Sequence, residues 1–204
     1  MKIRRKSIAM IIALGTFASS SAFGQGRVAF ANTANTLIFT NDYGQAGPIS
    51  AGGGQFFFGL YLGTIGTPVQ SLTLNLLATN SSSLPGRLSG GSPVALKAPY
   101  DDGSNYPLVF QVRGWSSQGS TILSYEQAIF LADGNTIFFG ESALGTVTPT
   151  FSPIGPAALF GTNPGQVDGF TMITFVPEPS TSALLVSALT AVGLSRVFFR
   201  NRKY

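Results

Sequence analysis

The sequence predicts an all-β domain, an antiparallel sandwich or jelly roll with one short helix, set between an N-terminal signal helix and a C-terminal transmembrane helix. Short β-branched and aromatic runs are separated by Gly and Pro, several runs alternate apolar with polar residues, and long apolar stretches lie at the two ends. Many short strands with turn residues between them are typical of sandwiches and barrels. We therefore expect three parts, residues 1–24, 25–176 and 177–204.

Residues 1–24 have the order of a secretory signal peptide. A basic start precedes the apolar stretch 8–18, and the small residues Ala22 and Gly24 stand at the −3 and −1 positions of a cleavage before Gln25. As a helix the apolar stretch would measure about 16 Å, too short for a hydrocarbon core of about 30 Å. We expect export by the Sec translocon and removal by signal peptidase; an uncleaved anchor or a buried core helix is the alternative.

Residues 25–176 are expected to form one β domain. The leucines of 72–76 alternate with polar residues, and Leu108, Phe110 and Val112 alternate in the same way, which indicates strands with one wet face. No long amphipathic helix is present to carry parallel crossovers, so antiparallel pairing is favoured. The predicted strands are residues 28–31, 36–40, 55–62, 71–78, 93–98, 108–115, 135–140 and 170–176.

One helix and three loops complete the predicted domain. Ser124 followed by Gln127 forms a capping-box pattern, which predicts a helix from Tyr125 to Ala132. The Gly/Ser-rich segments 44–54 and 80–92 are predicted to be long loops. The proline-rich segment 148–165 is predicted to be a disordered connection before the last strand.

Charge and composition exclude several functions for the domain. The formal net charge of +4 comes from the two ends, because residues 25–176 carry four basic and seven acidic residues, or 4 − 7 = −3. A nucleic-acid partner is therefore not expected. The chain has no Cys and no His, which excludes disulfides, thiolate chemistry, histidine general bases and the commonest zinc ligand. We expect no enzyme activity, no metal and no cofactor.

The C-terminal part combines a proline motif, an apolar segment and a basic end. The motif Pro177, Glu178, Pro179 precedes the apolar segment 182–199, which as a helix would measure roughly 27 Å, close to the thickness of a bilayer core. By the positive-inside rule the basic end 200–203 stays in the cytosol. The residues expected to stop the chain in the membrane are Arg196, Arg200, Arg202 and Lys203. Both ends of the chain thus predict that residues 25–176 are exported to the outer side of the membrane.

This arrangement resembles the tripartite PEP-CTERM sorting signal over about the last 28 residues. The resemblance implies that exosortase, a membrane-embedded cysteine transpeptidase-like enzyme of bacteria that secrete exopolysaccharide, reads Pro177, Glu178 and Pro179 and removes or exchanges the helix. Prolines on both sides keep Glu178 extended, as a protease cleft usually requires. The run 197–199 departs from the family pattern, since it separates Arg196 from the later basic residues. A plain tail anchor is the alternative.

The domain itself carries a second resemblance. Gln111–Trp115 followed by Ser124–Ala128 is similar to a pattern that recurs in the passengers of PEP-CTERM proteins from Verrucomicrobia-like bacteria. The resemblance implies one fold over residues 25–176 and assigns no activity. We therefore expect an envelope or extracellular-matrix protein, anchored in the inner membrane in transit and then located in the envelope or outside the cell. The alternative is a secreted carbohydrate-binding module that interacts with exopolysaccharide.

Three groups of residues are candidate sites. Residues Asp101 to Asn105 gather oxygen ligands around a glycine, as a calcium loop would, but lack the spacing and terminal glutamate of an EF-hand, so a solvated turn is the alternative. Glu126 and Glu141 could form a glycosidase pair, although the helix dipole already explains Glu126. A flat sugar-stacking platform could be formed by Trp115, Tyr61, Tyr100, Tyr106 and Tyr125, although a single Trp beside Arg113 on a strand is more often a core or edge filler.

Overall fold

The computed structural model describes residues 25–42, 44–101, 106–119, 121–132 and 137–174. Within these ranges the chain is mostly β-sheet, with one α-helix, α1 (Tyr125–Leu131), and a short 3-10 helix (Val69–Ser71). The strands are β1 (Arg27–Ala29), β2 (Phe39–Asp42), β3 (Gln45–Pro48), β4 (Phe56–Thr64), β5 (Thr73–Asn80), β6 (Leu88–Ser89), β7 (Val94–Ala95), β8 (Leu108–Ser116), β9 (Phe138–Glu141), β10 (Gly145–Val147), β11 (Ala157–Ala158) and β12 (Thr171–Thr174). The prediction of an all-β domain with one short helix is confirmed.

The strands form one large and one small sheet. The large sheet has the order β3-β2-β12-β9-β8-β4-β5-β6, with β10 paired to β8 beyond the end of β9, and the small sheet has the order β11-β1-β7. The longest strands, β4 and β8, pair along their whole length, from Phe56 opposite Ser116 to Thr64 opposite Leu108. These two strands are the centre on which the rest of the described fold is assembled.

Two strand pairings are parallel, so the expectation of purely antiparallel sheets is wrong at these places. β12 runs parallel to β2, with Met172 opposite Thr40, and β11 runs parallel to β1, with Ala157 opposite Val28. A parallel pair needs a long connection but not a helical one. Here almost the whole domain lies between the paired strands and serves as the connection. The last strand of the domain is thereby enclosed between β2 and β9.

The apolar core is divided between the two faces of the large sheet. One cluster combines residues of both sheets, among them Val28 of β1, Phe58 of β4 and Phe110 of β8, which are fully buried. A second cluster lies on the opposite face, where Trp115 of β8 packs with residues of α1 such as Ala128. Successive residues of a strand point to opposite faces, so β4 and β8 contribute to both clusters.

A bulge in β5 overturns the predicted alternation of leucines 72–76. Leu60 of β4 faces Leu76, but the next residue, Tyr61, faces Leu74, so Asn75 is an extra residue in the ladder. Leu72 and Leu76 are buried as predicted, whereas Leu74 is 46% exposed. Asn75 is buried instead, and its side chain bonds the backbone N–H and C=O of Lys97. Side chains of a strand alternate between the two faces of a sheet only while each residue of the strand is paired with one residue of the neighbouring strand.

Three segments predicted to be irregular contain strands. Segment 44–54 contains β3 and segment 80–92 contains β6, and the described segment 148–165 contains β11. The prediction of a disordered connection is wrong, because Leu159 and Phe160 of this segment are buried in the core. Segment 80–92 is held by the buried side chain of Asn32, which lies far from it in the sequence. This side chain accepts a hydrogen bond from the N–H of Leu88 at 2.8 Å and donates one to the carbonyl of Gly86 at 2.9 Å. Such long-range bonds replace the local signals that define a strand.

The predicted helix is present and begins at the predicted cap. Ser124 has an extended backbone and its hydroxyl accepts from the N–H of Gln127 at 3.0 Å. The Gln127 side chain accepts from the N–H of Leu123, one residue before the position expected in a capping box. The helix ends at Leu131, so Ala132 caps it.

The predicted targeting segments lie outside the described residues. They are Ala22 and Gly24 of the signal segment, the motif Pro177, Glu178, Pro179, the membrane segment 182–199 and the basic residues Arg196, Arg200, Arg202 and Lys203. Gln25, the predicted first residue after cleavage, is exposed and lies two residues before β1. Among the described residues no helix has the length and apolar character needed to cross a membrane.

Candidate functional site

Arg113 of β8 is the centre of a cluster that contains four of the candidate site residues. Its side chain is only 10% exposed and lies on the face of the large sheet that α1 covers. The guanidinium carbon lies 4.3 Å from the ring centre of Tyr61 and 5.5 Å from that of Tyr125. A desolvated guanidinium against aromatic faces is a favourable cation–π contact. We call Arg113, Tyr61, Tyr125, Glu126 and Glu141 the arginine cluster.

The two carboxylates considered as a glycosidase pair both lie against Arg113. One carboxylate oxygen of Glu126 is 3.5 Å from an Arg113 nitrogen, and one of Glu141 is 4.0 Å from another. Their side chains are 63% and 49% exposed. A glycosidase acid needs an apolar environment that keeps its proton. Here each carboxylate lies beside a cation at the edge of the solvent, which is the environment of an ion pair.

Two further bonds hold Arg113 in place from inside the protein. Its Nε donates to the side-chain carbonyl of Gln111 at 2.9 Å, and a terminal nitrogen donates to the backbone carbonyl of Val69, also at 2.9 Å. Gln111 in turn donates to the carbonyl of Ser142. The guanidinium therefore ties β8 to the 3-10 helix, to α1 through Glu126, and to β9 through Glu141. The contacts of Arg113 therefore give the arginine cluster a structural role, because they connect these elements to one another.

Burial changes the acidity of the two tyrosines of the arginine cluster. Desolvation raises the pKa of Tyr61 from 10.0 to about 12, and the negative charge of Glu126 adds to the rise while Arg113 opposes it. Desolvation likewise raises the pKa of Tyr125 to about 12, with Glu141 adding and Arg113 opposing. The Tyr61 hydroxyl donates to Glu126 at 3.4 Å. Both phenols therefore stay neutral to a higher pH than a free tyrosine does.

The predicted sugar platform is not formed. Trp115 is fully buried, Tyr61 and Tyr125 are 4% and 7% exposed, and all three lie beneath or beside α1. The indole N–H of Trp115 donates to a backbone carbonyl at 3.2 Å, so its polar edge is satisfied inside the protein. Tyr100 and Tyr106 pack against the other cluster. The five rings are divided between the two core clusters, and Trp115 is a core residue.

A cleft that the sequence did not reveal lies where β4 begins and β8 ends; we call it the polar cleft after its serine and glutamine lining. It has a volume of about 330 Å³ and is lined by residues 53–56, 116–119 and the half-buried ring of Phe138. The Ser117 hydroxyl donates to the carbonyl of Gly54 at 2.7 Å, and the Ser116 hydroxyl accepts from the N–H of Phe138 at 3.1 Å. The glycine run before β4 and the serines after Trp115 are the sequence features from which the cleft could have been predicted.

The walls of the cleft are fixed by hydrogen bonds and by unusual backbone angles. The side-chain carbonyl of Asn80 accepts from the N–H groups of Gln55 and Phe56, at 3.0 and 3.1 Å. Gln118 has a φ of +45°, in the left-handed region that side chains other than glycine seldom adopt. Residues in this region are concentrated at functional sites, so this turn is a candidate binding position.

The proposed calcium loop lies mostly outside the described residues, which include only Asp101 of the stretch from Asp101 to Asn105. In the part of the chain that is described, no group of three or more His, Cys, Asp or Glu residues is placed to hold a metal ion. Comparison with protein-family models, with curated proteins and with solved structures finds no match to this chain.

Proposed function

We propose that this chain is an exported envelope or extracellular-matrix protein, sorted by exosortase through its C-terminal tail, and that its β domain is not an enzyme. The observation that supports this most is the position of the β domain between the two targeting segments. β1 begins at Arg27, three residues after the cleavage expected at Gly24, and β12 ends at Thr174, three residues before Pro177. Cleavage at either end would leave every strand of the domain intact.

The arginine cluster supports the non-enzymatic part of the proposal. Glu126 and Glu141 are the carboxylates on which a hydrolase without His or Cys could depend, and both are paired with Arg113. We further propose that the small and large sheets are the two layers of a β-sandwich, with α1 covering the outer face of the large sheet. A sandwich held together by buried aromatic residues suits a protein that works outside the cytosol without disulfides.

The sorting proposal is tested by the mass of the exported protein. Cells with and without exosortase are compared, and the exported chain is analysed by intact mass and by peptide mapping of both ends. We expect a chain that begins at Gln25 and, only where exosortase is present, lacks the segment 182–199. A released chain that still carries residues 180–204 would refute the sorting proposal.

A carbohydrate-binding module is the second candidate, and the polar cleft favours it. Amide side chains, glycine backbone and the half-buried ring of Phe138 meet in a cleft large enough for about one sugar ring. We expect Gln55→Ala to weaken binding to exopolysaccharide by about tenfold, the loss of one good hydrogen bond. Gln45→Ala, a change at an exposed residue of β3, is the matched control. Equal binding by both variants and the unchanged protein would exclude the cleft.

A further inference from the structure

The layer that contains α1 exposes several large apolar side chains. Leu123, Ile129 and Phe130 are 67%, 47% and 82% exposed, and Ile173 of β12 is 50% exposed. Single exposed apolar residues are ordinary on soluble proteins, whereas several on one face are a candidate interaction surface. We call these four residues the exit patch, because of where the chain leaves the domain.

The contacts of β9 show that α1 and Ile173 lie on the same face of the large sheet. Ile173 is directly opposite Phe139 of β9, and residues opposite one another in a pair of strands point to the same face. The ring of Phe139 lies 6.4 Å from that of Tyr125, which belongs to α1. The small sheet packs against the other face, through the larger core cluster. The exit patch is therefore confined to one side of the domain.

The chain also leaves the β domain at this place. β12 ends at Thr174, which pairs with Phe138, and Phe138 follows Ile137, a member of the apolar cluster of α1. From Thr174 the predicted membrane segment at 182 is eight residues away, at most about 28 Å of extended chain. The proline motif begins three residues on, within about 10 Å.

We propose that the exit patch docks on the surface of the bilayer in which the C-terminal segment is anchored. The proposal rests on the sorting function proposed above. A tether of at most eight residues gives the patch a high effective concentration at the lipid, so weak apolar contacts suffice. Phenylalanine and leucine side chains enter the boundary between headgroups and acyl chains. The docked domain holds Pro177, Glu178 and Pro179 at the height of a membrane-embedded enzyme.

The charge around the exit patch indicates which kind of contact with lipid is favourable. The β domain has a net charge of −3, and the carboxylates of Glu126 and Glu141, exposed on the same face, are already paired with Arg113. Attraction to anionic headgroups therefore contributes nothing to docking. The patch therefore binds by apolar contact, and vesicles of neutral phosphatidylcholine are the probe that isolates this contact.

The test uses single-cysteine variants of the full chain, which has no cysteine of its own. Phe130→Cys reports on the exit patch, and Ile154→Cys is the matched control, because Ile154 is 62% exposed and its carbonyl accepts from Arg27 on the small-sheet side. Ala191→Cys reports on the membrane segment. Each variant carries a polarity-sensitive fluorophore and is reconstituted in phosphatidylcholine vesicles that contain a lipid-borne quencher.

The three labels separate the two proposals. We expect quenching at 191, at least about half as much quenching at 130, since interfacial side chains lie about 5 to 10 Å into the boundary region, and none at 154. Quenching at 191 with 130 equal to 154 would overturn the docking and leave the anchor standing. No quenching at 191 would overturn the anchor and the docking together. Blue-shifted emission at 130 without quenching would show contact with protein instead of lipid, and would also overturn the docking.

Discussion

Replacing Arg113 by alanine should destabilise the protein by about 3 to 4 kcal/mol, mainly through contacts inside the domain. Two hydrogen bonds from the buried guanidinium, to Gln111 and Val69, contribute roughly 1.5 kcal/mol or more each. The stacking on Tyr61 and Tyr125 contributes about 0.5 to 1 kcal/mol. The Val69 carbonyl would also lose its charged partner.

The two glutamates should contribute far less than the arginine they contact. Their side chains are half exposed or more, and ion pairs of this kind are worth about 0 to 1 kcal/mol. Glu126→Gln and Glu141→Gln are therefore expected to cost about 1 kcal/mol each at most. Arg113→Lys keeps the charge but loses the planar fork, so it should recover only a minor part of the loss.

Urea unfolding followed by the fluorescence of Trp115 measures all four variants. Trp115 is the single tryptophan of the chain and its ring lies 6.4 Å from Tyr125, so its emission reports on the arginine cluster. The reasoning would be refuted if neutralising either glutamate cost as much as Arg113→Ala. It would also be refuted if Arg113→Lys were as stable as the unchanged protein, since the buried geometry of the donor would then be irrelevant.

Three further predictions concern alkali, the helix cap and a crowded glycine. Because burial raises the pKa of Tyr61 and Tyr125 from 10.0 to about 12, the unfolded chain loses these protons first. Their contribution to the free energy of unfolding is therefore constant below pH 10 and is lost between pH 10 and 12. The midpoint of urea unfolding, measured across this pH range, should fall, and it should fall less in Tyr61→Phe. Ser124→Ala should cost about 1 kcal/mol in urea unfolding, whereas Ser124→Asp, which keeps an acceptor for the cap, should be near neutral. Gly169→Ala should prevent stable folding, because the added carbon would overlap the backbone of the adjacent loop, whereas Gly47→Ala meets open space and should leave the thermal midpoint nearly unchanged.

The fold class and the helix could be predicted because their signals are local. The strand at 108–115 and the Ser124 cap depend on neighbours within a few residues, and the structure confirms both. β3, β6 and β11 carry no such signal, because all three are short. β3 and β6 pair with the neighbouring strands β2 and β5 within segments rich in Gly and Ser, and β11 pairs with β1, far along the chain. The parallel pairing of β2 with β12 likewise depends on residues about 130 positions apart, for example Thr40 and Met172.

The candidate sites were harder to predict because residue type does not reveal burial. Trp115 and Tyr125 have the chemistry of a sugar platform, but only packing under α1 decides that they belong to the core. Glu126 and Glu141 have the chemistry of an acid pair, but Arg113 lies beside Glu141 only because β9 pairs with β8, and beside Glu126 only because α1 packs on the same face of the sheet. The polar cleft joins segments more than sixty residues apart, as the bond from Ser117 to Gly54 shows.

A reporter enzyme fused after Phe175 tests most directly whether the N-terminal segment carries the β domain across a membrane. Alkaline phosphatase, which is active only outside the cytoplasm, should be active in this fusion and inactive when residues 2–24 are removed. A fusion that is inactive with the signal segment present, and that protease added to intact spheroplasts cannot reach, would place the domain in the cytoplasm and contradict the account.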